Sequence, residues 1–224
     1  MIGLAEANAF VLQRQPYREQ SWLLRLFTAH EGQLHVISRS AEVVHLYQPY
    51  QVVLKRRAQG WSLQDLLLAD KVLRFHGPAC YVALYLNELC ARLLPKEVPL
   101  TELFGSYYAV LKALALEVSV APQLRYFEGR LLQELGAGLN TEFTAEHQPI
   151  AANARYRFNV HEGFSLAANG PYCGEWIAAL ARHEYDQQEV MAMATEVYQQ
   201  MLQAQLAGRP LQSVPLLRSV GLYL

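Results

Sequence analysis

Apolar residues follow two rhythms along the chain, and the change between them falls near residue 76. In the first stretch they form short bursts: Ala9-Phe10-Val11-Leu12, Trp22-Leu23-Leu24-Arg25-Leu26-Phe27, Leu34-His35-Val36-Ile37, Val52-Val53-Leu54 and Leu66-Leu67-Leu68. Each burst has the length of a strand. Turn residues separate them at Gln15-Pro16-Tyr17, His30-Glu31-Gly32 and Gln59-Gly60. Five short strands within about 75 residues predict a small antiparallel barrel or sandwich, and periodicity does not choose between the two.

After Gly77-Pro78 the rhythm becomes helical. Val82, Leu86, Leu89 and Leu93 recur at i, i+4, i+7 and i+11, flanked by Ala83, Cys90 and Leu94, with Pro78 suited to the first turn and Pro95 to the end. A second helix is predicted from about Leu100 to Glu117, where Leu103, Tyr107, Val110, Leu111 and Leu114 share one side. A third runs from about Ala121 to Leu135 and is stopped by Gly136 and Gly138. Residues 139 to 170 lose the repeat: Tyr156, Phe158 and Val160 alternate with Arg155, Arg157 and Asn159, and Glu162-Gly163 reads as a turn before Phe164-Ser165-Leu166. That pattern predicts a hairpin-like insert. Helix returns from about Gly174 to Ala181 and from Gln187 to Ala207, ending at Gly208-Arg209-Pro210.

Composition sharpens this division. The chain has 224 residues, 52% hydrophobic and 17% charged, enough to bury a core. Its formal net charge is -1, which removes a uniformly basic surface, so any nucleic-acid contact must be local. The charge is divided, however: residues 1–75 hold 9 Lys+Arg and 6 Asp+Glu, residues 76–224 hold 10 and 14. The two parts are expected to do different jobs. Cys80, Cys90 and Cys173 form no C-x-x-C pair, which predicts neither a disulfide framework nor a structural zinc site and suits a reducing cytosol. No apolar run approaches the ~18 residues of a membrane span, and Met1-Ile2-Gly3-Leu4-Ala5-Glu6 lacks the basic start of a signal peptide, so an internal protein is expected.

The common catalytic signatures G-x-S-x-G, G-x-x-x-x-G-K-[ST], H-E-x-x-H and G-x-G-x-x-G are absent from the sequence. Gly136-Ala137-Gly138 follows a helix rather than a strand and reads as a C-cap. His161-Glu162 and His183-Glu184 lack a second histidine at ligand spacing, and Cys80 and Cys90 lie too far apart on one helix to clasp a metal. In the first segment the local basic cluster is Lys55-Arg56-Arg57, at a strand end where three neighbours cannot all face one way. Two of them can contact phosphates, with Arg39 nearby and Tyr47, Tyr50 and Trp61 as stacking surfaces; a solvated strand end and core aromatics are the plainer alternative.

Beyond pattern, the segment Tyr81-Val82-Ala83-Leu84-Tyr85-Leu86-Asn87-Glu88-Leu89-Cys90-Ala91-Arg92-Leu93-Leu94, followed by Leu103-Phe104, resembles the Y-x-x-x-Y-[IL]-N-E-L-x-x-[RK]-L-[LI]...L-F signature of the bacterial recombination mediator family RecO. Leu124-Arg125-Tyr126-Phe127-Glu128 with Leu131-Leu132 and Leu135-Gly136 is similar to its L-R-x-F-E-x-x-L-L-x-x-L-G helix. Tyr156-Arg157-Phe158 with Glu162-Gly163-Phe164 resembles its strand pair, and Gly208-Arg209-Pro210-Leu211-Gln212-Ser213 its G-[KR]-P-L-x-S ending. Ala9-Phe10-Val11-Leu12, Pro16-Tyr17-Arg18-Glu19-Gln20-Ser21, Phe27-Thr28 and Gly32 are similar, more loosely, to its first barrel strands.

The resemblance implies an α+β chain: an OB-fold barrel over residues 1–76, then a helical domain over 77–224 with the insert at about 139–170. It implies no catalysis and no cofactor. It implies binding of single- and double-stranded DNA, strand annealing, contact with the carboxy-terminal tail of SSB, and help, with RecR, in loading RecA. In some members the insert is a zinc finger; here no cysteine lies between Cys90 and Cys173, so a metal-free insert is expected. Two departures matter. The family's basic loop after the third strand is replaced by the shorter Ser38-Arg39-Ser40-Ala41-Glu42-Val43-Val44-His45-Leu46, and its closing S-R pair is Ser213-Val214. Both predict weaker phosphate contact. The expected DNA contacts are therefore Arg39, Lys55, Arg56 and Arg57, and the expected SSB-tail contacts are Leu124, Arg125, Phe127 and Leu131, with Arg125 alternatively paired to Glu128 at i, i+3. An adaptor of the same fold that docks SSB or RecR with little DNA binding is a second reading, and an enzyme with an unrecognised site a third.

Overall fold

The computed structural model describes residues 4–18, 21–39, 44–58 and 60–223. Met1-Ile2-Gly3, Glu19-Gln20, Ser40 to Val43 of the shortened loop, and Gln59 of the expected turn lie outside the described residues. By packing the chain forms two compact units, Met1–Val118 and Ser119–Leu224.

The first unit holds five strands, β1 (Leu4–Pro16), β2 (Trp22–Thr28), β3 (Gly32–Ser38), β4 (Pro49–Arg57) and β5 (Gly60–Leu68). They close as a barrel in the order β1-β2-β3-β5-β4, which answers the choice between barrel and sandwich and is the topology of an OB-fold. Closure depends on the length of β1. Leu4 to Phe10 pair with β4, and Ala9 to Pro16 pair with β2, with a register shift between Val11 and Gln13 that lets one bent strand serve two neighbours. Alternation then sorts the faces. Ala7, Ala9, Val11, Leu24, Leu26, Leu34, Val36, Val52 and Leu54 point inward as a continuous core, with Trp22, Trp61 and Leu63 packed against it.

The opposite face of β1 and β2 carries Phe10 and Phe27, both fully buried by two helices, α1 (Pro78–Leu93) and α2 (Thr101–Ala115). Phe10 meets Phe104 and Tyr107 at ring-centroid distances of 5.4 and 5.0 Å, and Phe27 meets Phe104 at 5.3 Å. Asn87 explains its place in the motif. Leu12 is the residue left out of the register at the β1 bulge, and its carbonyl accepts a hydrogen bond from the Asn87 amide, whose oxygen accepts from the Tyr107 hydroxyl at 2.8 Å. The last turn of α1 is tied down in turn, because Gln33 donates to the Cys90 and Ala91 carbonyls and Arg25 donates to Ala91. Gly32, at φ +68°, lies where a Cβ would stand 1.9 Å from the Val98 carbonyl oxygen, so only glycine admits the segment after α1 this close to β3. The rhythm of the sequence changes at residue 76, but α1 and α2 pack with the barrel, so the first compact unit runs on to Val118.

The second unit contains α3 (Val120–Glu134), the strands β6 (Arg155–Asn159), β7 (Gly163–Leu166) and β8 (Tyr172–Cys173), then α4 (Gly174–Ala181), α5 (Gln188–Gln205) and a short α6 (Val214–Ser219). The expected hairpin is β6–β7, with Tyr156 opposite Leu166 and Phe158 opposite Phe164; β8 adds a third strand in the order β7-β6-β8. The core of this unit is formed by Leu124, Phe127, Leu131 and Leu132 of α3 with Val190, Ala194 and Val197 of α5, all buried. No helix among the described residues is long and apolar enough to cross a membrane.

Candidate nucleic-acid interface

The three turns at one end of the barrel surround a groove of about 710 Å³ lined by Tyr17, Arg18, Ile37, Arg39, Arg57, Trp61, Ser62, Leu63 and Gln64. Each turn contributes one guanidinium: Arg18 between β1 and β2, Arg39 just past β3, and Arg57 at the end of β4. In an OB-fold these loops and the β2–β3 face are where oligonucleotides lie. Tyr17 closes its turn by donating its N–H to the Ser21 carbonyl at 2.7 Å, and Arg18, at φ 56°, lies 5.2 Å from the Tyr17 ring. Arg57 is aimed by Ser62, whose hydroxyl oxygen accepts from Nε at 3.0 Å. Among the described residues, Arg39 and Arg57 form no ion pair with a carboxylate, so their charge faces solvent.

The four expected DNA contacts are thus divided. Arg39 and Arg57 meet at the groove. Arg56 does not line it: Nη1 pairs with Glu97 at 2.7 Å, and the guanidinium stacks 4.8 Å over Trp61, its cross-strand partner on the same face of the sheet. Lys55, half-buried, pairs in register with Leu4 and Ser62 and does not line the groove. Of the expected stacking aromatics, Trp61 is in place. Tyr50 is a core residue whose hydroxyl bonds the His45 backbone, and Tyr47 packs edge-on to Phe75 at 5.9 Å in a different, mainly apolar hollow. Tyr17 and Arg18 also line the groove and are not among the residues the sequence singled out as DNA contacts. Their signal was the Pro16-Tyr17-Arg18 turn itself, which is a place where OB-folds present ligand groups.

The expected SSB-tail residues have a different setting. Leu124, Phe127 and Leu131 are fully buried, and Arg125 is 1% exposed. The alternative pairing is formed: Arg125 Nη1 stands 3.0 Å from Glu128 Oε2, which is 0% exposed, and Nη2 donates to the Leu222 carbonyl at 3.1 Å. These four side chains therefore line no open slot in this conformation. The helix packs its apolar face inward, and the carboxy-terminal segment covers its arginine.

The cysteines stand apart and unbridged, and no group of three His, Cys, Asp or Glu among the described residues could hold a metal ion. Burial pushes the Cys90 thiol far above its ordinary range, while Cys80 is exposed and donates to the Phe75 carbonyl.

A family model described as recombination protein O, C terminal, matches residues 74–205, from just before α1 to the end of α5. The DNA repair protein RecO of Pseudomonas putida strain GB-1 is 34% identical over 218 residues, covering 94% of this chain and 96% of the relative. RecO of Stutzerimonas stutzeri is 35% identical over 213 residues, with coverages of 92% and 90%. RecO of Pseudoalteromonas atlantica is 31% identical over 226 residues, with coverages of 95% and 93%.

Proposed function

The chain belongs to the RecO family of DNA repair proteins, and on that premise we propose that it is a recombination mediator which holds single-stranded DNA in the groove at the end of its barrel. The observation that carries this reading is the convergence of Arg18, Arg39 and Arg57, from three separate turns, around Trp61. Guanidinium groups grip phosphate with charge-assisted hydrogen bonds, and an aromatic face accepts any base, worth about 1–3 kcal/mol per stacked base. Such contacts track a flexible strand without reading its sequence. A duplex offers this groove only its phosphates, so duplex binding is the weaker of the two. The reading needs no bond-making step and no cofactor.

Annealing of complementary strands and, with RecR, loading of RecA follow from the same reading as the tasks of a strand-holding mediator. A tail of SSB, acidic and ending in Phe, is proposed to reach Arg125 only after the segment that carries Leu222 lifts from α3. The adaptor reading gains from one observation, the capture of Arg56 by Glu97, which withdraws an expected phosphate contact.

Anisotropy of a labelled oligothymidine at 50 and 200 mM salt separates the two. Three phosphate contacts on a single strand give a log–log salt slope near -2 and a roughly 20-fold loss of affinity across that range. In Arg39→Glu/Arg57→Glu the slope should fall to about -0.7. Wild-type protein that fails to bind at low salt would favour the adaptor.

A further inference from the structure

Between β5 and the segment that leads into β4 lies a mainly apolar hollow of about 720 Å³, whose walls include Leu46, Tyr50, Leu63, Leu66, Leu68 and Val72. It reaches from the barrel core, against which Leu63 and Leu66 pack, to the surface, where Leu68 is 47% and Val72 55% exposed. Its far wall is held in place. The Gln48 side chain donates to the Leu73 carbonyl at 2.9 Å and accepts from the Leu73 N–H at 2.8 Å, and Asp70 is fixed by Lys112 at 2.9 Å and by the Tyr108 hydroxyl. The hollow is therefore formed in advance of any occupant.

One side of it is a bare strand edge. β5 pairs with β3 through Trp61 and Ser62, whereas from Leu63 to Leu68 it pairs, among the described residues, with β4 alone. The Ala69 N–H donates to the Pro49 carbonyl at 2.9 Å, so alternation along the strand turns the N–H groups of Leu66 and Leu68 away from β4. The edge is capped locally by its own side chains: Asp65 Oδ1 accepts from the Leu66 N–H at 2.8 Å, and Gln64 Nε2 donates to the Leu63 carbonyl at 3.1 Å. Such caps give way to the ladder of an added strand, and Asp65, once released, still carries its charge.

We propose that β5 is completed by an extended segment of a partner protein, which adds a strand along Leu63 to Leu68, sets apolar side chains at alternate positions into the hollow, and places a Lys or Arg against Asp65. The occupant follows from the surface. An unpaired edge takes an extended polypeptide, and an apolar lining takes its alternate side chains. Asp65 is the formal charge in that lining and forms no ion pair among the described residues, so the complement is a cation. A second copy of this chain fits less well, because an antiparallel β5 pair centred on Leu66 sets the two Asp65 carboxylates one diagonal apart, about 7–8 Å. This edge site does not depend on the single-strand reading; hollow and groove meet at Leu63 and Gln64, so a bound segment ends beside the groove.

Anisotropy of a labelled, acetylated Lys-Val-Thr-Val-Thr-Val peptide, titrated with the full chain, tests this. The comparisons are the same peptide with Glu for Lys, the same peptide N-methylated at alternate residues, and the variants Asp65→Asn and Leu68→Pro. Asp65→Asn keeps an oxygen for the Leu66 N–H, and Leu68→Pro removes an N–H that β4 does not use, so both should fold, with circular dichroism as the check. Wild type should prefer the Lys peptide over the Glu peptide by about twofold to fivefold, the scale of an exposed pair, and Asp65→Asn should bind the two alike. N-methylation and Leu68→Pro should each weaken binding roughly tenfold, through lost main-chain hydrogen bonds. If Leu68→Pro fails to fold, the peptide comparisons and Asp65→Asn decide alone. No binding of the Lys peptide up to about 1 mM overturns the proposal, as does an N-methylated peptide that binds as well as its parent. A wild-type chain that dimerises in sedimentation velocity, and stays monomeric as Leu68→Pro, gives the edge to a second copy and overturns it too.

Discussion

Removing the Arg125 side chain should unfold the second unit's core before it affects any partner. Arg125 and Glu128 are 1% and 0% exposed, and the Coulombic attraction across 3.0 Å offsets the cost of taking both charges out of water. Tyrosines crowd the pair, and the Glu128 charge adds to burial in raising Tyr185 and Tyr223 and in pushing Tyr198 up to about 12. Arg125→Ala leaves a carboxylate in that setting and removes the donor that holds the Leu222 carbonyl. Loss of one partner of a buried pair costs about 3–5 kcal/mol, equivalent to a fall in Tm of roughly 6–20 °C for a chain of this size. Replacing both, as Arg125→Leu/Glu128→Leu, removes the unpaired charge and should return stability to within about 2 kcal/mol of wild type. Urea unfolding followed by far-ultraviolet circular dichroism measures both variants. An unchanged midpoint in Arg125→Ala would refute the argument, as would a double variant no more stable than the single one.

Other outcomes follow from the same structure. Because Arg56 is spent on Glu97, Arg56→Ala should lower single-strand affinity less than Arg57→Glu in an anisotropy titration, and Glu97→Gln, by freeing Arg56, should raise it by up to about fivefold at low salt, the scale of an exposed pair. Asn87→Ala leaves the Leu12 carbonyl at the β1 bulge short of its donor and should cost about 1–3 kcal/mol in chemical denaturation. The folded pKa values of His35 and His183 lie below the ordinary 6.5, chiefly through burial, so the unfolded chain binds protons first. Their contribution to stability is complete above pH 6.5 and is lost as pH falls through the lowered folded values, which a pH series of urea midpoints would detect. A thiol reagent should label exposed Cys80 in the native protein and reach Cys90 only on unfolding.

The legible parts of the chain were those where one face is buried and the period is clean. Alternation and turn residues located all five barrel strands, and the 3.6-residue repeat located α1 to α5. Less legible was anything that depends on pairing between distant segments. Short apolar bursts could not say that β1 runs for 13 residues and bends to pair with both β2 and β4, because its edges at Gln13 and Gln15 are polar where the outer face meets solvent. The clustered charge of Lys55-Arg56-Arg57 was visible, but the direction taken by Arg56 depends on Glu97, 41 residues away. Arg125 looked available because an arginine is seldom buried, and the compensating Leu222 carbonyl lies 97 residues further on. The six-residue α6 is too short to show a repeat.

The direct measurement of the central claim uses Trp61 as a reporter inside the groove. With Trp22→Phe and Trp176→Phe, Trp61 is the remaining tryptophan of the three in the chain. Titration with oligothymidine should quench its emission along the same isotherm that anisotropy of the labelled strand traces, and Arg39→Glu/Arg57→Glu should shift both curves together. Tight binding by anisotropy with Trp61 emission unchanged would place the strand away from the barrel groove and contradict the account.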